Sequence, residues 1–195
     1  LKVLDILIKN GLIVDGTGNP AYIMDLGIRD GKIVKIQSNI NDDSKKIIDA
    51  DGLVVSPGFI DVHSHNDLIP FMDKDMQSLK IRQGVTTELV GQCGLGVIPC
   101  IEDESKLWKN YIKGVVGYPN IKFDFRDVND YFKKISGKGI KNNYAVLISH
   151  GAIRAKVMGF NPSEASNYEI KEMCVLIEDA MKQGVIGMSL GLQYM

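Results

Sequence analysis

His63 and His65, two of the three histidines in the chain, stand one residue apart at the end of an apolar run, Gly58-Phe-Ile-Asp-Val-His-Ser-His65. Alternate side chains of an extended strand point to the same side, so these imidazoles can converge on one point. Two imidazoliums placed that way repel. Two neutral imidazoles around a cation do not, and zinc accepts nitrogen ligands at about 2.0–2.1 Å. The competing reading of this spacing is a polar loop at a strand end. A second segment, Gly84-Val-Thr-Thr-Glu-Leu-Val-Gly-Gln-Cys-Gly-Leu-Gly96, puts Cys93 just beyond another apolar run, among glycines that let the backbone approach a neighbour closely. A thiolate there is a strong zinc ligand, and a small buried hydrophobe is the alternative fate of a free cysteine. Cys174, on an apolar helical stripe, and Cys100, without a glycine cradle, read as such hydrophobes.

The elements that must position these residues change character near residue 55. Before it, short β-branched runs are separated by Asn10-Gly11, Gly16-Thr-Gly18, Asn19-Pro20 and Asp30-Gly31, turn-forming pairs that predict a small antiparallel β unit over 1–55. After it, strand and helix signals alternate. Strands are predicted over 54–55 with 59–62, over 86–90, over 144–148 and from 185 onward. Helices are predicted over 76–82, around Val128, Tyr131, Phe132 and Ile135 behind an Asp124 cap, and over 166–183. In the last of these, Ser166-Asn-Tyr-Glu169 has capping-box spacing, Ile170, Met173, Cys174, Ile177 and Met181 form one face, and Gly184 is the stop. Residues 101–124 read as a long loop insertion. Repeated strand–helix order implies an α/β fold with parallel strands, either a (β/α)-barrel or an open doubly wound sheet. Four such units begin, where a barrel needs eight over about 250 residues.

Composition narrows the partners. A formal net charge of −1 over 195 residues gives no case for nucleic acid or an anionic membrane, and no run approaches the roughly 20 apolar residues of a membrane span. A small-molecule partner and a cytoplasmic location are the expectations. The cysteines are odd in number and scattered, which argues against a disulfide framework.

The run Ile47-Ile-Asp-Ala-Asp-Gly-Leu-Val-Val55 followed by Ser56-Pro-Gly-Phe-Ile-Asp-Val-His-Ser-His65 resembles the amidohydrolase superfamily, metal-dependent hydrolases with a barrel and a small β domain built from both chain ends. Around Cys93 the sequence is similar to the N-acyl-D-amino-acid deacylases (D-aminoacylases), in which a cysteine at the matching position coordinates zinc. Hydantoinases and dihydroorotases instead use a carbamylated lysine on the fourth strand, and Val185-Ile-Gly-Met-Ser-Leu-Gly-Leu-Gln-Tyr194 contains no lysine. Asn143-Tyr-Ala-Val-Leu-Ile-Ser-His-Gly-Ala-Ile-Arg154 resembles the deacylases' third strand and its Gly-His-Gly-x-x-Arg turn, with Ser149 in place of the first glycine.

The resemblance implies the first four strands of a partial (β/α)8 TIM-type barrel over 56–195, preceded by a small β-sandwich-like domain over 1–55 that C-terminal strands complete. It implies zinc as cofactor, His63, His65 and Cys93 as metal ligands, and hydrolysis of N-acyl-D-amino acids to a carboxylate and a free D-amino acid. Tyr194 and His150 would face substrate; their alternatives are a core aromatic and a turn-bracing histidine bonded to backbone, and His150 could also be a further ligand. Arg154 would hold a substrate carboxylate or cap a loop. The family's general base, an aspartate, and its further histidine ligands belong to later strands, so no catalytic residue is assigned here and the chain as given is expected to be inactive. Two other readings stand beside this one: an amidohydrolase acting on another amide or a cyclic imide, and a non-catalytic half-barrel that pairs with a second copy as a homo-oligomer.

Overall fold

The computed structural model describes residues 3–99, 105–122 and 124–193. The chain divides between Pro57 and Gly58 into two compact units. The first is one five-stranded sheet built from β1 (Ile6–Ile13), β2 (Tyr22–Arg29), β3 (Lys32–Gln37), β4 (Ile47–Asp49) and β5 (Val54–Val55). β1 pairs antiparallel with β2, and β2 with β3, but β4 and β5 both run parallel to β1. The sheet is therefore mixed rather than antiparallel. Its β2–β3 hairpin turns on Asp30 and Gly31, both at positive φ (52° and 70°), which matches the twist of a two-residue turn. Asn10-Gly11 is not a turn. Asn10 sits inside β1 at φ 60°, where the register to β2 shifts, and the bulge is anchored by its N–H to Asp25 Oδ1 (3.0 Å) and its amide to Asp49 Oδ1 (3.0 Å). Leu4, Leu7 and Ile40 form a small core on this sheet.

The second unit holds β6 (Phe59–Asp61), β7 (Val85–Val90), β8 (Asn143–Ser149) and β9 (Gly187–Ser189), all parallel and hydrogen-bonded in chain order. A doubly wound sheet reverses its strand order at a switch point. This one never does, so it is wound in one direction as a half-barrel. Connecting the strands are α1 (Lys74–Ser78), α2 (Ser105–Val116), α3 (Val128–Ser136), α4 (His150–Met158) and α5 (Asn167–Lys182). The core lies between sheet and helices, with Val90, Val146 and Ile148 from the strands meeting Trp108, Ile112, Tyr131, Ile135 and Ile153. Among the described residues no helix is long and apolar enough to cross a membrane.

Several local expectations are corrected. Most of the described part of 101–124 is not loop: α2 spans 12 residues, and its Trp108 is buried with the indole N–H donating to Gly96 O at 3.0 Å. Asp127, not Asp124, caps α3, accepting from Asp130 N at 2.8 Å, while Asp124 pairs with Lys134. The capping box of α5 forms as read, but the helix seats Met173, Leu176, Ile177 and Ala180 against the core. Cys174, Ile170 and Met181 are consequently exposed, so Cys174 is not a buried hydrophobe. Ser166→Ala removes the hydroxyl that accepts from Glu169 N and is expected to lower stability by about 1 kcal/mol, read as a shift in urea midpoint at unchanged slope.

Candidate metal centre

The strand before the histidine pair is shorter than expected. β6 ends at Asp61, and His63 and His65 stand in the bend beyond it. They converge nonetheless. Their ring centroids lie 5.6 Å apart at 68°. The bend is held by Ser64, whose N–H donates to Leu89 O of β7 at 3.1 Å. His63 is exposed and His65 half-buried. Burial, with the charges of His63 and Lys80 added, pushes the His65 imidazole below its ordinary range and favours the neutral form that a metal requires.

Cys93 approaches from the end of the neighbouring strand. Its Sγ lies 3.3 Å from His63 Nε2, and ligand atoms of His63, His65 and Cys93 all fall within 4.8 Å of one another. The backbone delivers this sulfur by an unusual turn: Gly91 (φ 78°), Cys93 (φ 57°) and Gly94 (φ 72°) are all left-handed. A Cβ on Gly91 would lie 2.2 Å from Leu147 O, and one on Gly94 would lie 2.9 Å from Gly191 N, so both positions need glycine for space as well as for φ. Serine hydroxyls clamp the turn from the next two strands. Ser149 Oγ donates to Gly91 O at 2.9 Å, and Ser189 Oγ accepts from Gly94 N at 2.9 Å while donating to the same Gly91 carbonyl at 2.5 Å. Gln92 ties the turn to the histidine bend, its amide donating to Val62 O at 2.8 Å.

The donor set fits zinc. A thiolate at about 2.3 Å and an imidazole at about 2.1 Å in tetrahedral arrangement stand about 3.5 Å apart, close to the Cys93–His63 separation. His65 Nδ1 is buried without a hydrogen-bond partner, a costly state for a polar atom.

Residues 46–194 match the amidohydrolase family. The chain belongs to that family. It is 33% identical over 190 residues to a D-aminoacylase from Alcaligenes xylosoxydans xylosoxydans, covering 97% of this chain and 38% of that protein. An N-acyl-D-glutamate deacylase from the same organism is 32% identical over 191 residues, covering 98% of the chain and 38% of that protein. The crystal structure of an N-acyl-D-glutamate deacylase from Bordetella bronchiseptica, complexed with zinc and a phosphonate mimic of the tetrahedral intermediate, superposes with a TM-score of 0.84 at 34% identity, over 99% of this chain and 39% of that one. The chain thus spans about two fifths of the length of these relatives.

Other residues singled out in the amidohydrolase sequence fall elsewhere. His150 opens α4 and is not in the cluster; its Nδ1 is buried without a partner, so it does not brace the turn through that nitrogen. Arg154 caps a loop, donating to Asn161 O (3.1 Å) and Ser163 O (2.6 Å). Tyr194 and Cys100 lie outside the described residues. The residues that sequence reasoning missed are Lys80, Glu88, Gln92 and Ser189. For Glu88 a signal existed: a carboxylate inside the apolar strand Val85-Thr-Thr-Glu-Leu-Val90, on the same face as the buried Val90.

Proposed function

We propose that this chain carries the metal-binding donors of an N-acyl-D-amino-acid deacylase, with zinc held by His63, His65 and Cys93. The observation that carries this reading is the convergence of two imidazoles and one thiol, from two adjacent strand ends, within 4.8 Å. Zinc in that position supplies Lewis acidity toward the scissile amide carbonyl. His63 and His65 contribute neutral nitrogens, and Cys93 contributes the charge. The left-handed turn and its Ser149 and Ser189 clamps keep the sulfur aimed at the histidines, so little conformational freedom is left to lose on binding. Cys93 as donor, together with identities of 32–33% to a D-aminoacylase and an N-acyl-D-glutamate deacylase, favours a linear N-acyl-D-amino acid over a cyclic imide.

Among the described residues no carboxylate joins the three donors, and Asp61, two residues before His63, is engaged by Lys80. Residues 1–195 alone are accordingly expected to release no D-amino acid. The decisive assay uses the intact protein with N-acetyl-D- and N-acetyl-L-amino acids and chiral detection of the free amino acid. D-selective release that a chelator abolishes and zinc restores is the expected result. Ring opening of a hydantoin without D-amino-acid release would overturn the substrate class.

A further inference from the structure

We propose that Glu88 is a positioning residue for the histidine pair: from the middle of β7 its carboxylate holds the His63–His65 bend in its metal-binding shape. The inference rests on the zinc reading above and adds a residue to it. The bend alternates two kinds of side chain. His63 and His65 supply the donor atoms of the cluster, while the intervening Ser64 and the following Asn66 turn to Glu88. Glu88 Oε2 accepts from Ser64 Oγ at 2.8 Å and from Asn66 Nδ2 at 2.6 Å, and Lys80 Nζ lies 3.0 Å away. Its other oxygen, Oε1, accepts from Asn142 Nδ2 at 2.9 Å. The residue is 2% exposed.

A carboxylate is buried at such depth only when its charge and lone pairs are satisfied. Here the satisfying groups are Ser64 and Asn66 of the bend, with Lys80 beside them and Asn142 on the other oxygen. Burial alone would push the Lys80 ammonium down, but hydrogen bonds to Asp61 and Glu88 hold it above its ordinary range. Lys80 also donates to Ser64 Oγ at 2.9 Å, so Ser64 is gripped from both sides. The backbone of the bend is tied to β7 through Ser64 N–H on Leu89 O and to the Cys93 turn through Gln92 on Val62 O, and two side-chain bonds tie Ser64 and Asn66 to Glu88. Rotating the bend would move both imidazoles together.

Glutamine at this position has the right shape but the wrong hydrogen bonding. Both oxygens of Glu88 are faced by donors, so the amide NH2 must meet either Ser64, Asn66 and Lys80 or Asn142, and one side of the network opens.

The test compares wild type, Glu88→Gln and Ser64→Ala in the intact protein. Cobalt(II) is titrated in competition with a chelator and followed by the thiolate-to-cobalt charge-transfer band and the d–d bands, at a temperature where circular dichroism shows each protein folded. Partners that orient metal ligands typically contribute 10–100-fold in affinity. Glu88→Gln is therefore expected to weaken cobalt binding by about 10-fold or more and to change the d–d envelope, with Ser64→Ala shifting both in the same direction. A purely structural Glu88 would lower the melting temperature and leave affinity and spectrum alone, which would overturn the proposal. If Glu88→Gln does not fold, Ser64→Ala decides by the same criterion. A wild-type protein that takes up no cobalt would instead overturn the metal reading itself.

Discussion

Cys93→Ala is expected to weaken zinc binding in the intact protein by more than about 100-fold, beyond the range found when only a ligand's supporting partner is removed. The sulfur is the donor that reaches the cluster from the turn after β7 rather than from the bend after β6. The metal-free fold should barely notice. Cys93 is half-buried and already in the left-handed region at φ 57°, so alanine inherits the same backbone strain and forfeits the Sγ contact 3.3 Å from His63 and part of the side chain's packing on the core. Chelator competition measures the affinity and urea unfolding of the metal-free protein measures the fold. Equal zinc affinity in wild type and variant would exclude Cys93 as a ligand.

The second large effect is on stability. Gly91→Ala places a methyl group 2.2 Å from Leu147 O at a residue whose φ is +78°. The left-handed backbone alone costs a non-glycine residue roughly 1–2 kcal/mol. The steric term adds to it, because the opposing atom is backbone in β8, a strand tied to β9 from Leu147 to Ser149, and cannot swing away. A total loss of about 3 kcal/mol or more is expected. Gly139→Ala provides the comparison: its φ is +69° but nothing lies within 4 Å of the added Cβ. It should lose only the conformational part, about 1 kcal/mol. Equal losses at the two positions would show that the approach of the Cys93 turn to β8 is not tight.

What could be read from the sequence follows from which forces act locally. Strand alternation put His63 and His65 on one side, and the rings do converge, yet from a bend two residues past the end of β6 rather than from the strand itself. The glycines around Cys93 were legible because their role is conformational and belongs to the residue itself. The Ser166 capping box was legible for the same reason. The α5 stripe was misplaced because a 3.6-residue period fixes a face only to within about one position, and packing against the sheet chose Leu176 and Ala180 over Cys174 and Ile170. Asn10-Gly11 looks like a hairpin turn in isolation; anchors from Asp25 and Asp49, distant in sequence, make it a bulge instead. Glu88 escaped for a related reason. Its partners Ser64, Asn66, Lys80 and Asn142 come from three separate segments, and only the fold brings them to one carboxylate.

The most direct test of the metal centre is zinc K-edge X-ray absorption on the intact protein loaded with zinc. The account predicts a sulfur at about 2.3 Å together with nitrogen or oxygen neighbours at about 2.0–2.1 Å, and loss of the sulfur contribution in Cys93→Ala. A wild-type spectrum fitted by light atoms alone, or zinc that does not stay bound through dialysis, would contradict it.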